Sequence, residues 1–243
     1  MTLSVSACVI ARDDEARIRR CLASLAWADE RLVVVDDRSC DATESIARDM
    51  GSSVVRHLYQ GNVEQKNFVL AQARCEWVLA LDADEALSDD LSARLRAFLS
   101  SEAEGVDGVE LNRVTRHLGR WIRHGDFYPD WQLRLFRRSK GRWVGVNPHG
   151  RVQIDTDVCR VGGDLEHYSY ADLADQIARI QDFSGIEAQE LFARGRLTRA
   201  SDLALRPAAR FLRAYLLKAG FHVFLKYAKL WELERCERGR APR

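Results

Sequence analysis

The sequence predicts an α/β protein in which a mostly parallel sheet is flanked by helices and followed by a C-terminal helical extension. Short apolar runs alternate with segments of helical periodicity through the first 105 residues, which is the order of a parallel sheet with crossover helices. The apolar runs end in acidic loops, and helical spacing resumes after residue 171.

The first β-α unit is predicted within residues 3–26. Residues 3–10 form an apolar run that ends in the acidic loop 11–15. The helix after this loop carries one apolar stripe, formed by Ile18, Cys21, Leu22, Leu25 and Ala26. This stripe is expected to face the sheet.

The second unit begins with the apolar run 31–35, which ends at the acidic pair 36–37. Ser39 or Asp41 is expected to cap the helix that follows, because short polar side chains accept hydrogen bonds from the first free amides of a helix. Gly51 stands where that helix is expected to end.

The third unit consists of a short strand at residues 53–57 and a helix at residues 64–74. Residues 77–81 follow as a fourth strand, and all five of them are apolar. An uninterrupted apolar run of this length indicates a strand that is covered on both faces of the sheet.

Three acidic side chains, Asp82, Asp84 and Glu85, follow the fourth strand directly. Neighbouring carboxylates repel one another unless a cation or solvent lies among them. In an extended segment residues i and i+2 point the same way, so Asp82 and Asp84 can face one ligand. Mg²⁺ prefers one or two carboxylates together with substrate phosphates, so the pattern indicates a metal site, with a solvated turn as the alternative.

The acidic loops 13–15, 36–37 and 82–85 are expected to meet at one edge of the sheet, where α/β proteins bind their ligands. The chain has neither the Gly-x-Gly-x-x-Gly pattern of dinucleotide folds nor a P-loop pattern. The acidic loops fit a nucleotide-diphosphate sugar as the ligand. One acid would hold the diphosphate through a metal ion, and another would lie near the base or the ribose. A nucleotidyltransferase is a less expected alternative. Such an enzyme is expected to carry a Gly-rich basic loop after the first strand, whereas residues 11–15 of this chain are acidic.

Four stretches resemble, in order, the successive motifs of family 2 glycosyltransferases: residues 4–15, 33–41, 65–68 and 81–85. Two later stretches, 119–123 and 128–138, are similar to the branch that includes lipopolysaccharide-core β-glucosyltransferases. The resemblance covers roughly residues 3–235, which is nearly the whole chain.

The resemblance implies a GT-A (Rossmann-like) fold and inverting transfer from a UDP-sugar such as UDP-glucose, with Mg²⁺ or Mn²⁺ as cofactor. It implies a cell-envelope saccharide, such as lipopolysaccharide core, or a lipid-linked saccharide as acceptor. It places seven residues at the nucleotide sugar: Ala11, Asp13, Glu15, Asp36, Lys66, Asp82 and Ala83. It also implies that Asp84 is the metal ligand.

Within that set, Asp36 matches the acid that accepts a hydrogen bond from uracil, and Lys66 matches a basic residue that faces the donor. The branch often has Glu where this chain has Gly150, and its relatives carry a longer apolar linker near the carboxyl end. These departures leave a second reading open, in which the protein binds nucleotide-sugar or glycan without efficient turnover.

Asp130 is the candidate catalytic base, because inverting transfer requires a carboxylate that takes the proton of the attacking hydroxyl. The alternative is a turn residue after Pro129. Arg134, Arg137 or Arg138 can add contacts to phosphate, and at least one of the three is expected to lie at a solvated strand edge instead.

Composition fits an enzyme with one large core or with a core and an appended helical unit, since 47% of the 243 residues are hydrophobic. The formal net charge of +1 is not that of a nucleic-acid-binding polycation. The six cysteines lack Cys-x-x-Cys spacing and are expected to be reduced thiols. No signal peptide is expected, so the protein is predicted to be cytoplasmic, with peripheral contact at the inner face of the cytoplasmic membrane as an option.

Residues 1–170 are predicted to form the catalytic domain, with residues 1–105 as the nucleotide-sugar-binding half and residues 106–170 as the acceptor side. The acceptor half is rich in aromatic residues, whose faces suit sugar rings, although at least half of them are expected to fill a core instead. A histidine metal site around His149 and His167 is less expected than packing or acceptor contacts.

Residues 171–243 are predicted to form a helical, basic amphipathic extension. Basic residues and aromatics interleave in its part 203–234, a pattern typical of helices that lie on a membrane surface. A helix packed on the catalytic domain with its Lys and Arg in water is the equal alternative.

Overall fold

A computed structural model describes residues 3–117, 119–124, 127–147, 149–170, 172–215 and 230–231. The chain divides into two compact units, one of Met1–Gly145 with His149–Ser169 and the other of Val146–Pro148 with Tyr170–Arg243.

The strands are β1 (Val5–Ala11), β2 (Glu30–Asp36), β3 (Ser53–His57), β4 (Trp77–Asp82), β5 (Glu85–Leu87), β6 (Gly108–His117), β7 (Arg120–Ile122), β8 (Trp131–Arg137), β9 (Arg142–Val146), β10 (His149–Gln153) and β11 (Val158–His167). The helices are α1 (Ile18–Ser24), α2 (Thr43–Asp49), α3 (Asn62–Gln72), α4 (Asp89–Ser101), α5 (Leu173–Ala193) and α6 (Ala200–Tyr215). All four predicted strands of the first half are present within about two residues of their expected bounds.

The main sheet has the strand order β3-β2-β1-β4-β8-β6-β11-β5, with β7 paired to β6, while β9 and β10 form a separate two-stranded sheet. The first four strands of this order are parallel to one another, and β8 runs antiparallel to β4 and β6. The predicted α/β fold with a sheet flanked by helices is confirmed. The insertion of β8 beside β4 brings a segment of the second half against the predicted acidic loop.

The core lies on both faces of the parallel strands, as their uninterrupted apolar runs predict. One cluster takes alternate residues of β1, β2 and β4, and the other cluster takes the residues between them. In β4, for example, Leu79 and Leu81 belong to the first cluster, whereas Val78 and Ala80 belong to the second. Because both faces of each strand are buried, the strands are held in place and their ends position the loops.

The start of α2 differs from the expected cap, because its N-cap residue is Ala42, whose side chain accepts no hydrogen bond. Asp41 still serves the first turn, since its Oδ1 accepts from Thr43 N at 2.9 Å. The predicted stop is confirmed: Gly51 has φ +77° and its amide donates to the Arg48 carbonyl at 2.8 Å.

In the second unit, α5 begins at the N-cap Asp172, and α6 contains Pro207. Arg206 of α6 pairs with Asp202 at 2.8 Å, so one of the predicted surface cations is already neutralised within its own helix. Residues 216–229 and 232–243, which hold much of the predicted membrane-surface segment 203–234, lie outside the described residues. Within the described part, no helix has both the length and the apolar character required to cross a membrane.

Candidate active site

The candidate active site lies where β1, β2 and β4 end, at the carboxyl edge of the parallel strands. Across β1 the register pairs Ile10 with Asp82 and Ala11 with Val35, so the loops after the three strands are neighbours. The predicted convergence of these loops is therefore found. Ala11 and Ala83 are only 6% and 3% exposed, which leaves their backbones rather than their side chains to face a ligand.

Asp82 is held between two cations at the end of β4. Its Oδ1 lies 2.7 Å from Lys66 Nζ, and its Oδ2 lies 3.1 Å from Arg134 Nη2. Burial tends to raise the pKa of Asp82, but Lys66 and Arg134 outweigh burial and hold this pKa well below its usual range. Both oxygens of this carboxylate are thus engaged by positive charge.

Lys66 and Arg134 are buried cations that share one aromatic wall, Trp143. Lys66 Nζ lies 4.3 Å from the centroid of this indole, and Arg134 Cζ lies 5.7 Å from a Trp143 ring. Burial lowers the pKa of Lys66 below its usual value, although Asp82 opposes that shift. Arg134 Nε is buried and has no hydrogen-bond partner within the described part of the chain, so this donor is available to an anionic ligand.

Glu85 is a site residue that the sequence-based set omits. Its side chain is fully buried, and its Oε1 lies 2.6 Å from Arg134 Nη2 and 3.4 Å from Arg113 Nη1. Its Oε2 accepts from the backbone amide of Asp82 at 3.1 Å. Its place in the acidic run after β4 was a signal, but the partners that bury it come from the distant strands β6 and β8.

Asp130, the predicted base, directly precedes β8 and contacts residues of β6. Its Oδ2 lies 2.7 Å from Arg113 Nη2, and its Oδ1 accepts from Gln132 Nε2 at 2.7 Å. Its backbone amide donates to Asn112 Oδ1 at 3.0 Å. The side chain is therefore oriented firmly, and Arg113 connects it to Glu85 and the donor-side cluster.

Asp84 faces a different partner from Asp82: its Oδ2 lies 3.6 Å from Nε2 of His167, at the end of β11. The backbone fixes this approach, because the amide of Tyr168 donates to the Asp84 carbonyl at 2.8 Å. Burial first, and then the charge of Asp84, raise the pKa of Asp14 to about 6. Asp14 and Asp84 are thus close enough to interact electrostatically.

The Asp84–His167 pair fits a divalent cation that takes most of its ligands from a diphosphate. Carboxylate and imidazole are both metal ligands, and Mg²⁺ in particular uses few protein groups when phosphates are present. Across the described ranges no three His, Cys, Asp or Glu side chains come close enough to form a complete metal site on their own. The expectation that His167 serves packing or acceptor contacts rather than metal binding stays a prediction, and the structure places this side chain beside Asp84, the predicted metal ligand. The side chain of His149 lies outside what the structure describes.

Asp36, the predicted partner of uracil, is buried at the end of β2 and forms a bidentate ion pair with Arg38. Arg38 Nε and Nη2 donate to Asp36 Oδ1 and Oδ2 at 3.0 and 2.7 Å. Burial tends to raise the pKa of Asp36, but these hydrogen bonds hold it below its usual value. Arg38 also lies 5.0 Å from the ring centroid of Tyr59, which places a flat cation and an aromatic ring beside the acid.

Asp13 and Glu15 bind the neighbouring loop in this structure. Asp13 Oδ1 accepts from the Cys40 amide at 2.9 Å, and Glu15 Oε2 accepts from the Ala42 amide at 3.1 Å. Asp13 has φ +50°, a conformation that Asp tolerates better than most residues. These two carboxylates join the first β-α loop to the second and so shape the nucleotide side of the site.

Of the three candidate arginines in and just after β8, only Arg134 lies at the site. Arg137 lies at the other end of the strand, where it pairs with Glu76 and Asp107, and Arg138 Nε donates to the Cys75 carbonyl. The physical reason is that β8 runs antiparallel to β4, so its later residues lie beside the beginning of β4.

Comparison with known proteins agrees with this geometry. The model of the glycosyl transferase family 2 matches residues 6–154. The lipopolysaccharide core biosynthesis glycosyltransferase LpsC of Rhizobium meliloti is 30% identical over 226 residues, covering 88% of this chain and 81% of that protein. An uncharacterized glycosyltransferase of Rickettsia typhi is 26% identical over 255 residues, covering 94% of this chain and 87% of that protein.

Among solved structures, the mannosyltransferase PcManGT of Pyrobaculum calidifontis in complex with GDP-Man and Mn²⁺ is similar, with a TM-score of 0.54 at 17% identity. The match covers 100% of this chain and 82% of that chain, and it shows a shared fold. The match of the family model over more than half of the chain, together with the Rhizobium relative, identifies the family. The chain belongs to glycosyl transferase family 2 and is a glycosyltransferase.

Proposed function

We propose that this glycosyltransferase is an inverting, divalent-metal-dependent enzyme that transfers a sugar from a UDP-sugar, such as UDP-glucose, to a cell-envelope saccharide such as lipopolysaccharide core. The Rhizobium relative, named for lipopolysaccharide core biosynthesis, supports this class of acceptor. The Pyrobaculum structure, which holds a nucleotide sugar and Mn²⁺, is consistent with a metal-bound donor.

One observation carries the proposal: the Asp84–His167 pair lies at the same strand end as the buried cations Lys66 and Arg134. A diphosphate has many anionic oxygens, and it requires positive charge around it when it leaves water. Arg134 Nε is a buried donor that lacks a partner within the described residues, so it can donate to such a group without breaking an existing bond.

In the proposed mechanism, Asp84 and His167 would hold Mg²⁺ or Mn²⁺, and such a cation would supply positive charge to the leaving diphosphate. Lys66 and Arg134 are proposed to orient the donor, and Asp82 holds both of them in place through its two ion pairs. Asp130 takes the proton of the acceptor hydroxyl as that oxygen attacks the anomeric carbon. The pairing with Arg113 orients the carboxylate of Asp130 for this step.

The nucleoside end is proposed to lie against the loops after β1 and β2. Asp36 retains about one acceptor site, on Oδ2, after it accepts from the backbone amide, Nε and Nη2 of Arg38, because a carboxylate offers about four acceptor sites. Tyr59 and Arg38 supply flat faces for the base. Asp13 and Glu15 contribute indirectly, since they hold the two loops together.

The donor and metal parts of this proposal are tested by ligand-induced thermal shift. UDP with Mn²⁺ is expected to raise the Tm of the native protein more than UDP alone, because a ligand that binds only the folded state stabilises it. Asp84→Asn is expected to lose the Mn²⁺-dependent part of the shift, whereas the exposed helix substitution Asp90→Asn retains it. An equal Mn²⁺ effect in both variants would contradict a metal held by Asp84.

Slow release of UDP from UDP-glucose with Mn²⁺ tests turnover.

The second candidate function, nucleotide-sugar binding without turnover, rests on Gly150. A Cβ at this position would lie 2.7 Å from Val63 Cγ2, so this packing leaves no room for the Glu that the branch often carries. UDP binding without release of UDP in the presence of any saccharide acceptor would favour that candidate and contradict the proposed enzyme.

A further inference from the structure

A cationic aromatic patch lies beside the proposed metal pair and takes no part in the mechanism above. It consists of Arg20 on α1, Arg116 on β6, Trp121 on β7 and Tyr168, which follows β11. The amide of Tyr168 donates to the carbonyl of Asp84 at 2.8 Å, so this patch adjoins the residue proposed to hold the cation.

Both guanidinium groups of the patch lie against the same phenol ring. Arg20 Cζ is 3.9 Å from the ring centroid of Tyr168, and Arg116 Cζ is 5.7 Å from it. Arg116 Cζ is also 5.9 Å from the centroid of a Trp121 ring, on the residue directly opposite it in the β6–β7 pair. Two like charges on one ring repel each other, and an anion placed near both of them would remove this repulsion.

Neither guanidinium forms a salt bridge or hydrogen bond within the part of the chain that the structure describes, in contrast to most arginines of the site. The nearest acid in sequence to Tyr168 is Glu166, whose Oε2 accepts from the Tyr168 hydroxyl at 2.6 Å. Glu166 is thus directed to the phenol, and the patch has two positive charges against one negative charge. Arginine presents a planar fork of donors that matches a carboxylate or phosphate.

The two aromatic residues of the patch suit the ring of a sugar, whereas the guanidinium groups suit its anionic substituent. Trp121 and Tyr168 meet edge to face, with ring centroids 5.3 Å apart and an angle of 72° between the planes. Both side chains are partly exposed, so part of each residue is accessible beside the guanidinium groups. Aromatic faces pack well against the C–H faces of a sugar ring, while the polar edges of the aromatic side chains remain in water.

We infer that Arg20 and Arg116, with Trp121 and Tyr168, form an acceptor subsite for a sugar that carries an anionic substituent, a phosphate or a carboxylate. The inference rests on the proposed function, because it places the acceptor on the side of Asp84 and His167 formed by β6, β7 and α1. The enzyme would thereby select acceptors that are acidic next to the sugar that receives the new linkage.

The test is calorimetric titration of the full chain, with UDP and Mn²⁺ present, using glucose 6-phosphate, glucuronate, neutral glucose and inorganic phosphate as probes. Glucose 6-phosphate and glucuronate are expected to bind more tightly than glucose. Arg20→Gln and Arg116→Gln are each expected to weaken the anionic sugars about tenfold, as loss of a charged hydrogen bond implies. Arg19→Gln, a neighbouring exposed arginine of α1, is the matched control and should leave their binding unchanged.

Arg116→Lys keeps the charge but removes the planar fork of donors, so it should lose an intermediate part of the affinity for anionic sugars. This variant keeps the inference testable if the Gln variant fails to fold. Equal binding of neutral glucose, or equal affinities in Arg19→Gln and Arg20→Gln, would overturn the inference. Inorganic phosphate binding as tightly as glucose 6-phosphate would overturn the sugar part of it.

Titration with UDP and Mn²⁺ alone separates the two proposals. Unchanged UDP affinity in the arginine variants is expected, and a parallel loss of UDP affinity would assign these residues to the donor instead. Failure of the wild-type protein to bind UDP contradicts the proposed function, whereas loss of discrimination between charged and neutral sugars contradicts only the subsite.

Discussion

Glu85 is the residue that joins the donor side of the site to the acceptor side. Its buried carboxylate lies between Arg134, which also holds Asp82, and Arg113, which also holds Asp130. Positive and negative side chains therefore alternate from one side to the other. A buried ion pair of this kind costs more to break than it contributes when intact, because the remaining partner stays charged and desolvated.

Glu85→Gln is expected to lower the free energy of unfolding by about 3 kcal/mol, since it leaves Arg134 and Arg113 without their shared counter-charge. Glu110→Gln is the control, because Glu110 pairs at 2.9 Å with Arg160, whose side chain is 60% exposed. That change should cost less than about 1 kcal/mol. Urea unfolding measures both, and equal losses would show that Glu85 is not an essential counter-charge.

Asp130→Asn is expected to lower kcat by about 100-fold or more while leaving the Kd for UDP unchanged, because an amide cannot accept the proton of the acceptor hydroxyl. The measurement is UDP release under saturating donor, compared with direct titration of UDP. Asp90→Asn, on an exposed face of α4, controls for loss of one carboxylate. Wild-type turnover in Asp130→Asn would remove this residue as the base.

Asp14 makes stability depend on pH in a direction opposite to that of Asp82. Because its pKa is raised from 3.8 to about 6 in the folded protein, the native state binds more protons than the unfolded state between these values. Its contribution to stability is present in full below about pH 4 and is lost as pH rises through about 6.

In metal-free buffer, the stability of the wild type relative to Asp14→Asn should fall between pH 4 and pH 6.5 by on the order of 2 kcal/mol. Urea unfolding at several pH values measures this difference. A difference that stays constant or increases with pH would show that Asp14 is not held protonated.

At the scale of elements, the bulge in β11 lets this strand continue beside β6 as far as His167. The register shifts between Val161 and Asp164, so the two glycines between them absorb the irregularity. Gly163 has φ +103°, and a Cβ there would lie 2.9 Å from Cα and Cβ of Leu91 on α4. Gly162, by contrast, has only Arg94 Nη1 near the corresponding position, at 3.8 Å.

Gly163→Ala is therefore expected to destabilise the protein by about 2 kcal/mol, from both backbone strain and the collision with α4. Gly162→Ala is the matched control and should change the free energy of unfolding by less than about 0.5 kcal/mol. Thermal unfolding of the pair checks this expectation, and similar Tm values would show that the bulge tolerates a side chain at residue 163.

The helix α6 is the described element that bears on membrane contact. Leu205 and Leu212, seven residues apart and thus on one face, are 68% and 66% exposed. Leu197, which precedes the helix, is 82% exposed. Basic residues interleave with apolar ones through this part of the sequence, as in helices that lie on anionic lipid.

At the scale of the whole molecule, we propose that this face holds the enzyme at the membrane where a lipid-linked acceptor would be found. The double substitution Leu205→Asp with Leu212→Asp is expected to reduce flotation with anionic liposomes several-fold, because it removes apolar contact and adds repulsion. Leu197→Asp should float like the wild type. Equal flotation of the double variant and the wild type would exclude this face of α6 as the contact.

Much of the fold and part of the site were predictable from residue order. Apolar periodicity is a local property, and it located β1 to β4 and the acidic ends of β1, β2 and β4. The carboxylates of Asp82 and Asp84 were identified for the same reason, since the i, i+2 spacing and the preceding strand are both visible in sequence. Their separate partners were not, because Asp82 meets Lys66 and Arg134 whereas Asp84 meets His167.

The sequence by itself therefore determined the family, the order of strands and helices in the first half, and the loop that carries the acids. Only the tertiary structure decided which charges meet. Arg134 reaches Asp82 from 52 residues away because β8 inserts antiparallel beside β4, and the same insertion carries Arg137 away from the site. Strand order between distant segments depends on long-range packing, and no local periodicity encodes it.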